Sequence, residues 1–103
     1  MTYIVMNRFQ VTEGHEGEFE ELWLSRESFL KEVDGFKMFH LLRGDDPGEY
    51  ISHTIWESKE AFEGWIGSES FVKAHARAGK TPKEIFGGPP KLSEYEVLMT
   101  QKK

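Results

Sequence analysis

The feature that most constrains the fold is the strict alternation of side chains near the N-terminus. Residues 3–11 read YIVMNRFQV, and successive side chains of a β-strand point to opposite faces. One face of the predicted strand carries Tyr3, Val5, Asn7, Phe9 and Val11. Asn7 is the polar member of that face, and a buried asparagine needs hydrogen-bond partners. It therefore either meets a structural partner or points into a cavity to donate to a ligand.

Changes of hydrophobic period along the 103 residues predict the fold class. Helical spacing over residues 16–33 predicts an amphipathic helix, with Phe19, Leu22, Trp23, Leu30 and Val33 on one stripe. Strand patterns occupy residues 36–43, 50–56 and 92–100, and an Asp-Pro-Gly turn joins the first two as a hairpin. With a second helix after residue 57, the order predicts a single α+β domain with the ferredoxin-like βαββαβ arrangement and a four-stranded antiparallel sheet.

The second helix, over residues 57–79, is predicted to be broken. Ser58 can cap a first piece that runs through Trp65, Gly67 interrupts it, and a second piece runs through His75. A continuous helix would place Trp65 and His75 about 80° apart around its axis. The break loosens that constraint, so both side chains could face one cavity. Residues 80–91, rich in Pro and Gly, are predicted to form a mobile loop or a lid.

The composition limits the partners. Eighteen acidic and 13 basic residues give a net charge of -5, which argues against nucleic acid or an anionic membrane. The absence of cysteine excludes a disulfide framework and Cys-ligated metal. The sequence enters a strand pattern without a leader, so we expect a cytoplasmic protein. A sheet with helices on one face leaves an apolar face bare, which predicts a homodimer, a dimeric α+β barrel.

Few standard catalytic motifs are present. The sequence lacks a Gly-rich phosphate loop, a GxSxG elbow and a zinc signature. His15, His40 and His53 are interpreted as structural or exposed. His75 differs because alanines surround it, so a flat ligand could approach, and a neutral imidazole is a good axial ligand of heme iron. Arg26, on the apolar stripe, either snorkels to solvent or reaches an anionic group of a ligand.

Three segments together resemble the IsdG-like heme-degrading monooxygenases of the antibiotic biosynthesis monooxygenase superfamily. They are Asn7 within IVMNRFQV, WESKEAFEGW at residues 56–65, and SFVKAHARAG at residues 70–79. WES-x-EAF recurs across the superfamily, whereas Asn, Trp and His together are more specific. The resemblance covers nearly the whole chain and implies a dimeric ferredoxin-like fold.

The resemblance also implies roles for individual residues. His75 would ligate the iron, Trp65 would press on the porphyrin and ruffle it, and Asn7 would donate a hydrogen bond near the distal oxygen. Trp23 would line the pocket, and Arg26 would lie beside it or near a propionate. Heme would be both substrate and cofactor, with O2 and an external electron donor, a reductase, completing the reaction. Residues 80–91 match the family's mobile loop in a shorter form.

Two alternatives remain open from the sequence. In a cofactor-free oxygenase of the same superfamily, acting on a quinol or a polyketide-like phenol, Trp65 and Asn7 would line a flat pocket and His75 would be a base or structural. The other alternative is a non-catalytic heme carrier or a plain structural dimer.

Overall fold

A computed structural model describes residues 2–25, 29–69, 71–72 and 85–103. Its elements, in chain order, are β1 (Tyr3–Gln10), α1 (Glu16–Leu24), a 3-10 turn (Leu30–Glu32), β2 (Phe36–Arg43), β3 (Glu49–Trp56), α2 (Lys59–Ile66) and β4 (Lys91–Glu96). The strands form one sheet in the order β2-β3-β1-β4, and every neighbouring pair is antiparallel. This confirms the predicted ferredoxin-like α+β fold. In the described ranges no helix combines the length and the apolar character that crossing a membrane requires.

Strand β1 lies in the centre of the sheet, and its alternation decides which face is buried. Tyr3, Val5 and Phe9 are each no more than 9% exposed and contact side chains from the two helices, so they form the helix-covered face. The residues between them, such as Ile4 and Met6, lie on the opposite face, which no element of the described chain covers. We call this second face the open face.

The core beneath the helices is divided into two clusters. The buried members of the first, the Trp56 cluster, are Tyr3, Val5, Leu30, Trp56 and Phe62. Those of the second, the Tyr50 cluster, are Phe9, Val11, Phe19, Tyr50 and Ile85. Each cluster contains residues from the sheet and from a neighbouring helix or loop. Each therefore packs one end of the sheet against the layer that covers it.

Trp23 on α1 joins the two clusters. Its ring stacks on Phe39 at 5.8 Å and 12°, and Phe39 packs against the Trp56 cluster. The same ring lies 5.7 Å from that of Phe9, in the Tyr50 cluster. Since aromatic pairs at this range attract each other beyond their area burial, Trp23 couples the two halves of the core.

The predicted cap and break of the second helix are confirmed. The Ser58 hydroxyl accepts a hydrogen bond from the Ala61 amide at 3.1 Å, and α2 ends before Gly67. The Ser68 hydroxyl then accepts from the Phe71 amide at 3.2 Å, which caps a new helical turn. Residues 69, 71 and 72 are helical. The predicted continuation to residue 79 lies outside the described residues.

The prediction of one helix over residues 16–33 is wrong beyond Leu24. The Ser25 hydroxyl donates back to the carbonyls of Glu21 and Leu22, at 2.9 and 3.3 Å, where α1 ends. Phe29 has a left-handed backbone, with φ of 60°, which no regular helix accommodates. The 3-10 turn that follows returns Leu30 to the core, so the apolar spacing is satisfied without a continuous helix.

The last strand is shorter than predicted. It was expected to reach residue 100 but ends at Glu96, which pairs with Tyr3 at the start of β1. Beyond that pair the Val97 amide donates to the Thr2 carbonyl at 2.9 Å. Leu98 and Met99, which follow this contact, are 88% and 75% exposed.

The expected loop at residues 80–91 is fixed to the sheet in its described part. Ile85 is 1% exposed, and its carbonyl accepts from the Thr12 amide at 2.7 Å. Phe86 forms a bridge with Val11, and the Gly87 amide donates to the Gln10 carbonyl at 2.7 Å. Residues 85–87 are therefore packed against the sheet, whereas the prediction of a mobile loop or a lid over residues 80–84 lies outside the described chain.

A polar contact ties α1 to the sheet. The Tyr50 hydroxyl donates to the Glu20 carboxylate, which also pairs with the Arg43 guanidinium at 3.2 Å. The hydrogen bond from Tyr50 and the charge of Arg43 outweigh partial burial and lower the pKa of Glu20. Burial and the bond to Glu20 raise the pKa of Tyr50 to about 12.

We predict that Tyr50→Phe makes stability less dependent on pH. The lowered pKa of Glu20 contributes stability above its ordinary value near 4.5, and that contribution disappears as pH falls through the folded-state pKa. The raised pKa of Tyr50 contributes stability below pH 10 that is lost as pH rises towards 12. The melting temperatures of wild type and variant should differ most near neutral pH and converge at both extremes. Leu98→Ala, at a residue 88% exposed and without a titrating group, is the control, and parallel curves for wild type and Tyr50→Phe would contradict the prediction.

A second prediction concerns the link between the clusters. Trp23→Ala should lower the free energy of unfolding by about 3 kcal/mol, near the lower end for loss of a large core aromatic, because it removes the contacts with Phe9 and Phe39. Urea unfolding followed by circular dichroism measures the change. The adjacent Leu22→Ala, at a residue 40% exposed, should cost less than about 1 kcal/mol. Equal losses in the two variants would show that Trp23 does not join the clusters.

Candidate functional site

A polar row crosses the helix-covered face of the sheet between the two clusters. Asn7 on β1 lies directly opposite Ser52 on β3 and opposite Leu92 on β4. Paired residues share a face, so these side chains lie beneath the helical layer. The rows on either side, at Val5 and Phe9, belong to different clusters. Asn7 and Ser52 are both half-buried and belong to neither cluster.

The side chains of Asn7 and Ser52 form no hydrogen bond with another described residue. The next polar residue along β3 behaves differently. The Thr54 hydroxyl donates to the Val5 carbonyl at 3.3 Å and accepts from the Trp56 indole at 3.0 Å. The sequence left two interpretations of Asn7, a structural partner or a ligand. No structural partner of its side chain is found within the described residues, and a half-buried amide without a partner is available to a ligand.

Aromatic and aliphatic side chains surround this polar row. Trp23 contacts Phe9 on one side of the row and Phe39 on the other, so its ring lies above the row towards β2. On the β4 side, Leu92 faces the helical layer yet is 54% exposed. We call the surface over this polar row, with Trp23 on the β2 side and the exposed Leu92 on the β4 side, the groove. Such a surface suits a flat, largely apolar ligand that presents one polar group.

Trp65 lies in the neighbouring cluster rather than on this row. Its ring is 5.6 Å from that of Trp56 and meets that of Phe71 edge-on at 4.9 Å and 85°. Trp56 pairs with Tyr3, which is four positions before Asn7, about 13 Å along the strand. A depression of ≈ 440 Å³ adjoins the helix break, lined by Gly67, Ser68, Glu69 and Val72.

The predicted site residues thus divide into three groups. The structure brings Asn7 and Trp23 to one groove and places Trp65 in the adjoining cluster. His75 and Arg26 lie outside the described residues. Across the described ranges, no group of three or more His, Asp or Glu side chains is arranged to hold a metal ion.

An ionisable pair on the same face of the sheet as the polar row belongs to the Trp56 cluster. The Tyr3 hydroxyl donates to the Glu94 carboxylate at 2.7 Å, on the strand that carries Leu92. This hydrogen bond, with burial and the negative charge of Glu94, raises the pKa of Tyr3 to about 12. Tyr3 therefore stays neutral at physiological pH. On the floor itself the described polar groups, an amide and a hydroxyl, can position a ligand but do not form an acid–base pair.

Sequence reasoning missed Ser52. The alternation within β3 could have placed it on the same face as Tyr50 and Thr54. Its position opposite Asn7 depends on the register between two strands more than 40 residues apart in sequence. That register is a tertiary property, so no local pattern pointed to this residue.

Comparisons with known proteins agree with the fold. Residues 2–77 match the antibiotic biosynthesis monooxygenase family. Over 82 residues, 77% of this chain and 78% of the relative, the chain is 29% identical to a heme oxygenase (staphylobilin-producing) of Staphylococcus saprophyticus. The structure of the heme-degrader MhuD from Mycobacterium tuberculosis, with two hemes in its active site, superposes with a TM-score of 0.75. It is 28% identical, with 97% of this chain and 99% of that chain covered.

A third relative shows the range of chemistry on this fold. SnoaB, a cofactor-independent oxygenase from Streptomyces nogalater, superposes with a TM-score of 0.73 at 20% identity, covering 99% of this chain and 98% of that chain. At this identity the likeness concerns the fold alone. With the family match extending over residues 2–77, the chain belongs to the antibiotic biosynthesis monooxygenase family.

Proposed function

We propose that the protein is a heme-degrading monooxygenase. It binds heme as its substrate, opens the porphyrin with O2 and electrons from an external donor, and releases iron and a linear tetrapyrrole. The observation that carries the proposal is the half-buried Asn7 amide, which has no partner among the described residues and lies on the floor of a groove beside Trp23. The similarity to a heme oxygenase and to a heme-degrader supports heme as the ligand.

The groove suits this ligand for physical reasons. A porphyrin is flat and apolar over most of its area, and stacking against Trp23 would remove that area from water. The Asn7 amide has no partner among the described residues, so it could donate a hydrogen bond to a polar atom on the sheet side of the heme. Asn7 therefore favours one position of the ligand over others.

The remaining assignments follow the resemblance noted from the sequence. His75 would hold the heme through its iron, Trp65 would press on the macrocycle, and Arg26 would lie beside the pocket or a propionate. In this scheme strain and a positioned hydrogen bond carry the reaction, in place of a conventional acid–base pair. The electrons come from a reductase, and the protein acts in the cytoplasm.

Titration of the purified protein with hemin tests the proposal. We expect a saturable Soret band that decays when ascorbate is added in air with catalase present, with release of iron that ferrozine detects. Catalase removes free peroxide, which would otherwise attack heme without the enzyme. A stable band would indicate a heme carrier. Absence of a band would favour a cofactor-free oxygenase acting on a quinol or a polyketide-like phenol.

The same assay tests the residue assignments. His75→Ala should lose the ligation spectrum, whereas His15→Ala, at a histidine bonded to Glu18 beside α1, should retain it. Asn7→Ala and Trp65→Phe should bind hemin with nearly wild-type affinity but degrade it about tenfold more slowly or worse, the effect expected for one lost hydrogen bond or contact. Normal degradation by both variants would refute the roles given to Asn7 and Trp65.

We also propose that the protein is a homodimer formed through the open face of the sheet. Several apolar side chains lie on that face: Ile4, Met6, Met38, Leu42, Ile51 and Ile55. Met38 is 47% and Leu42 40% exposed in the single chain. These apolar residues flank the pair His40 and His53, and stable monomers seldom leave an apolar surface of this kind exposed. A second copy, stacked face to face, would cover it.

A charge on the open face should separate the two copies. Met38→Glu places a carboxylate beside Ile55, its partner on β3, and burying it would cost more than the contact provides. We expect size-exclusion chromatography with light scattering to give a dimer for wild type and a monomer for Met38→Glu. Leu24→Glu, at a residue 83% exposed at the end of α1, should remain a dimer. A dimeric Met38→Glu protein would place the interface elsewhere.

A further inference from the structure

We propose that Ser52 is a second ligand-positioning residue, which acts with Asn7 from the neighbouring strand. The Ser52 hydroxyl and the Asn7 amide together form a pair of polar groups on the groove floor that binds a polar atom on the sheet side of the heme. This inference rests on the proposed function and adds a residue to the site. The Ser52 hydroxyl would add a second hydrogen bond to the one that the Asn7 amide donates, so a ligand atom with two lone pairs would be bound from both strands.

The sheet register places the two groups within reach of one atom. Ser52 and Asn7 are directly opposed on antiparallel strands, and the Cβ atoms of such pairs are about 4.5–5.5 Å apart. Both side chains are half-buried and face the helical layer. A single ligand atom above the pair could accept a hydrogen bond from the Asn7 amide and form a second hydrogen bond with the Ser52 hydroxyl.

The other opposed pairs of β1 and β3 on this face differ from this one. Tyr3 opposes Trp56, and Phe9 opposes Tyr50. Their polar atoms are engaged, since the hydroxyls of Tyr3 and Tyr50 donate to glutamates and the Trp56 indole donates to a threonine. Four opposed pairs of β1 and β3 lie on the helix-covered face between residues 3 and 9. Among them, the Asn7 pair alone has two polar side chains without a partner in the described chain.

Folding does not account for a serine at this position. Serine lacks the β-branched or aromatic side chain that suits a half-buried strand surface, and its hydroxyl bonds no other described residue. Valine has a similar shape and would pack better against Leu41, its neighbour on β2. The position is therefore suboptimal for stability, as expected of a residue retained for a ligand.

The test compares Ser52→Ala, Ser52→Val and Ser52→Thr with wild type. Melting temperatures of the ligand-free proteins should stay within about 2 °C of wild type or rise, most for valine, because no intramolecular hydrogen bond is lost. In the hemin complex, azide affinity should fall about three- to tenfold for Ser52→Ala, the effect of one hydrogen bond. The ratio of tetrapyrrole products should shift, and Ser52→Thr, which keeps the hydroxyl, should restore both.

Ser93→Ala serves as a control from the other face of the sheet, at a serine whose side chain is hydrogen-bonded to Tyr95. Ser93 is a half-buried serine on β4 that opposes Met6 on the open face, so its loss should change neither azide affinity nor the product ratio. Asn7→Ala is the positive reference, since it should change both the azide affinity and the product ratio.

Three results would overturn the inference, and they differ from one another. A melting temperature more than about 5 °C lower for Ser52→Ala would show that the hydroxyl is structural. Unchanged azide affinity and product ratio in Ser52→Ala, with both altered in Asn7→Ala, would refute the role of Ser52 while the proposed function stands. A wild-type protein that gives no Soret band would overturn the proposed function and this inference together.

Discussion

The pairing of β1 with both β3 and β4 is the constraint on which the rest of the structure depends. Because Val5 and Phe9 are buried on one face, a slip of one residue would expose both and would turn every side chain of β1 over. The hydrophobic cost of that slip holds the register. The same register places Asn7 under the helical layer and Ser52 beside it. A polar site is thus positioned by apolar packing at its two sides.

The divided core gives the groove its character. Two aromatic-rich clusters supply the burial that a chain of this size needs, and Trp23 joins them above the row between. The row itself contributes little to stability, because an amide and a hydroxyl there lack partners within the described chain. Proteins commonly accept such a loss where a ligand binds. Tightly packed clusters lie on both sides of the row, and residues supported by such packing favour precise placement of a ligand.

The candidate site was predictable in part from the sequence. Asn7 was recognisable as a polar residue on an apolar strand face, and Trp23 as an aromatic residue on the inner stripe of α1. Ser52 was not, because a serine in a strand is unremarkable until its neighbour is known. The end of α1 was missed because apolar spacing continues to Leu30, while the Ser25 hydroxyl and the left-handed Phe29 interrupt the helix. His75 and Arg26 stay predictions from the resemblance.

By itself the sequence determined the features that depend on near neighbours. Period-two alternation set the strands and their two faces, the spacing of glycine, proline and aspartate set the hairpin turn, and Ser58 set the start of α2. The tertiary structure alone decided which residue lies opposite Asn7, where β4 stops, and how Ile85 closes the second cluster. The physical reason is that register and packing join residues far apart in sequence. The free energies of register and packing depend on which surfaces contact each other, and the local spacing of residues does not determine those contacts.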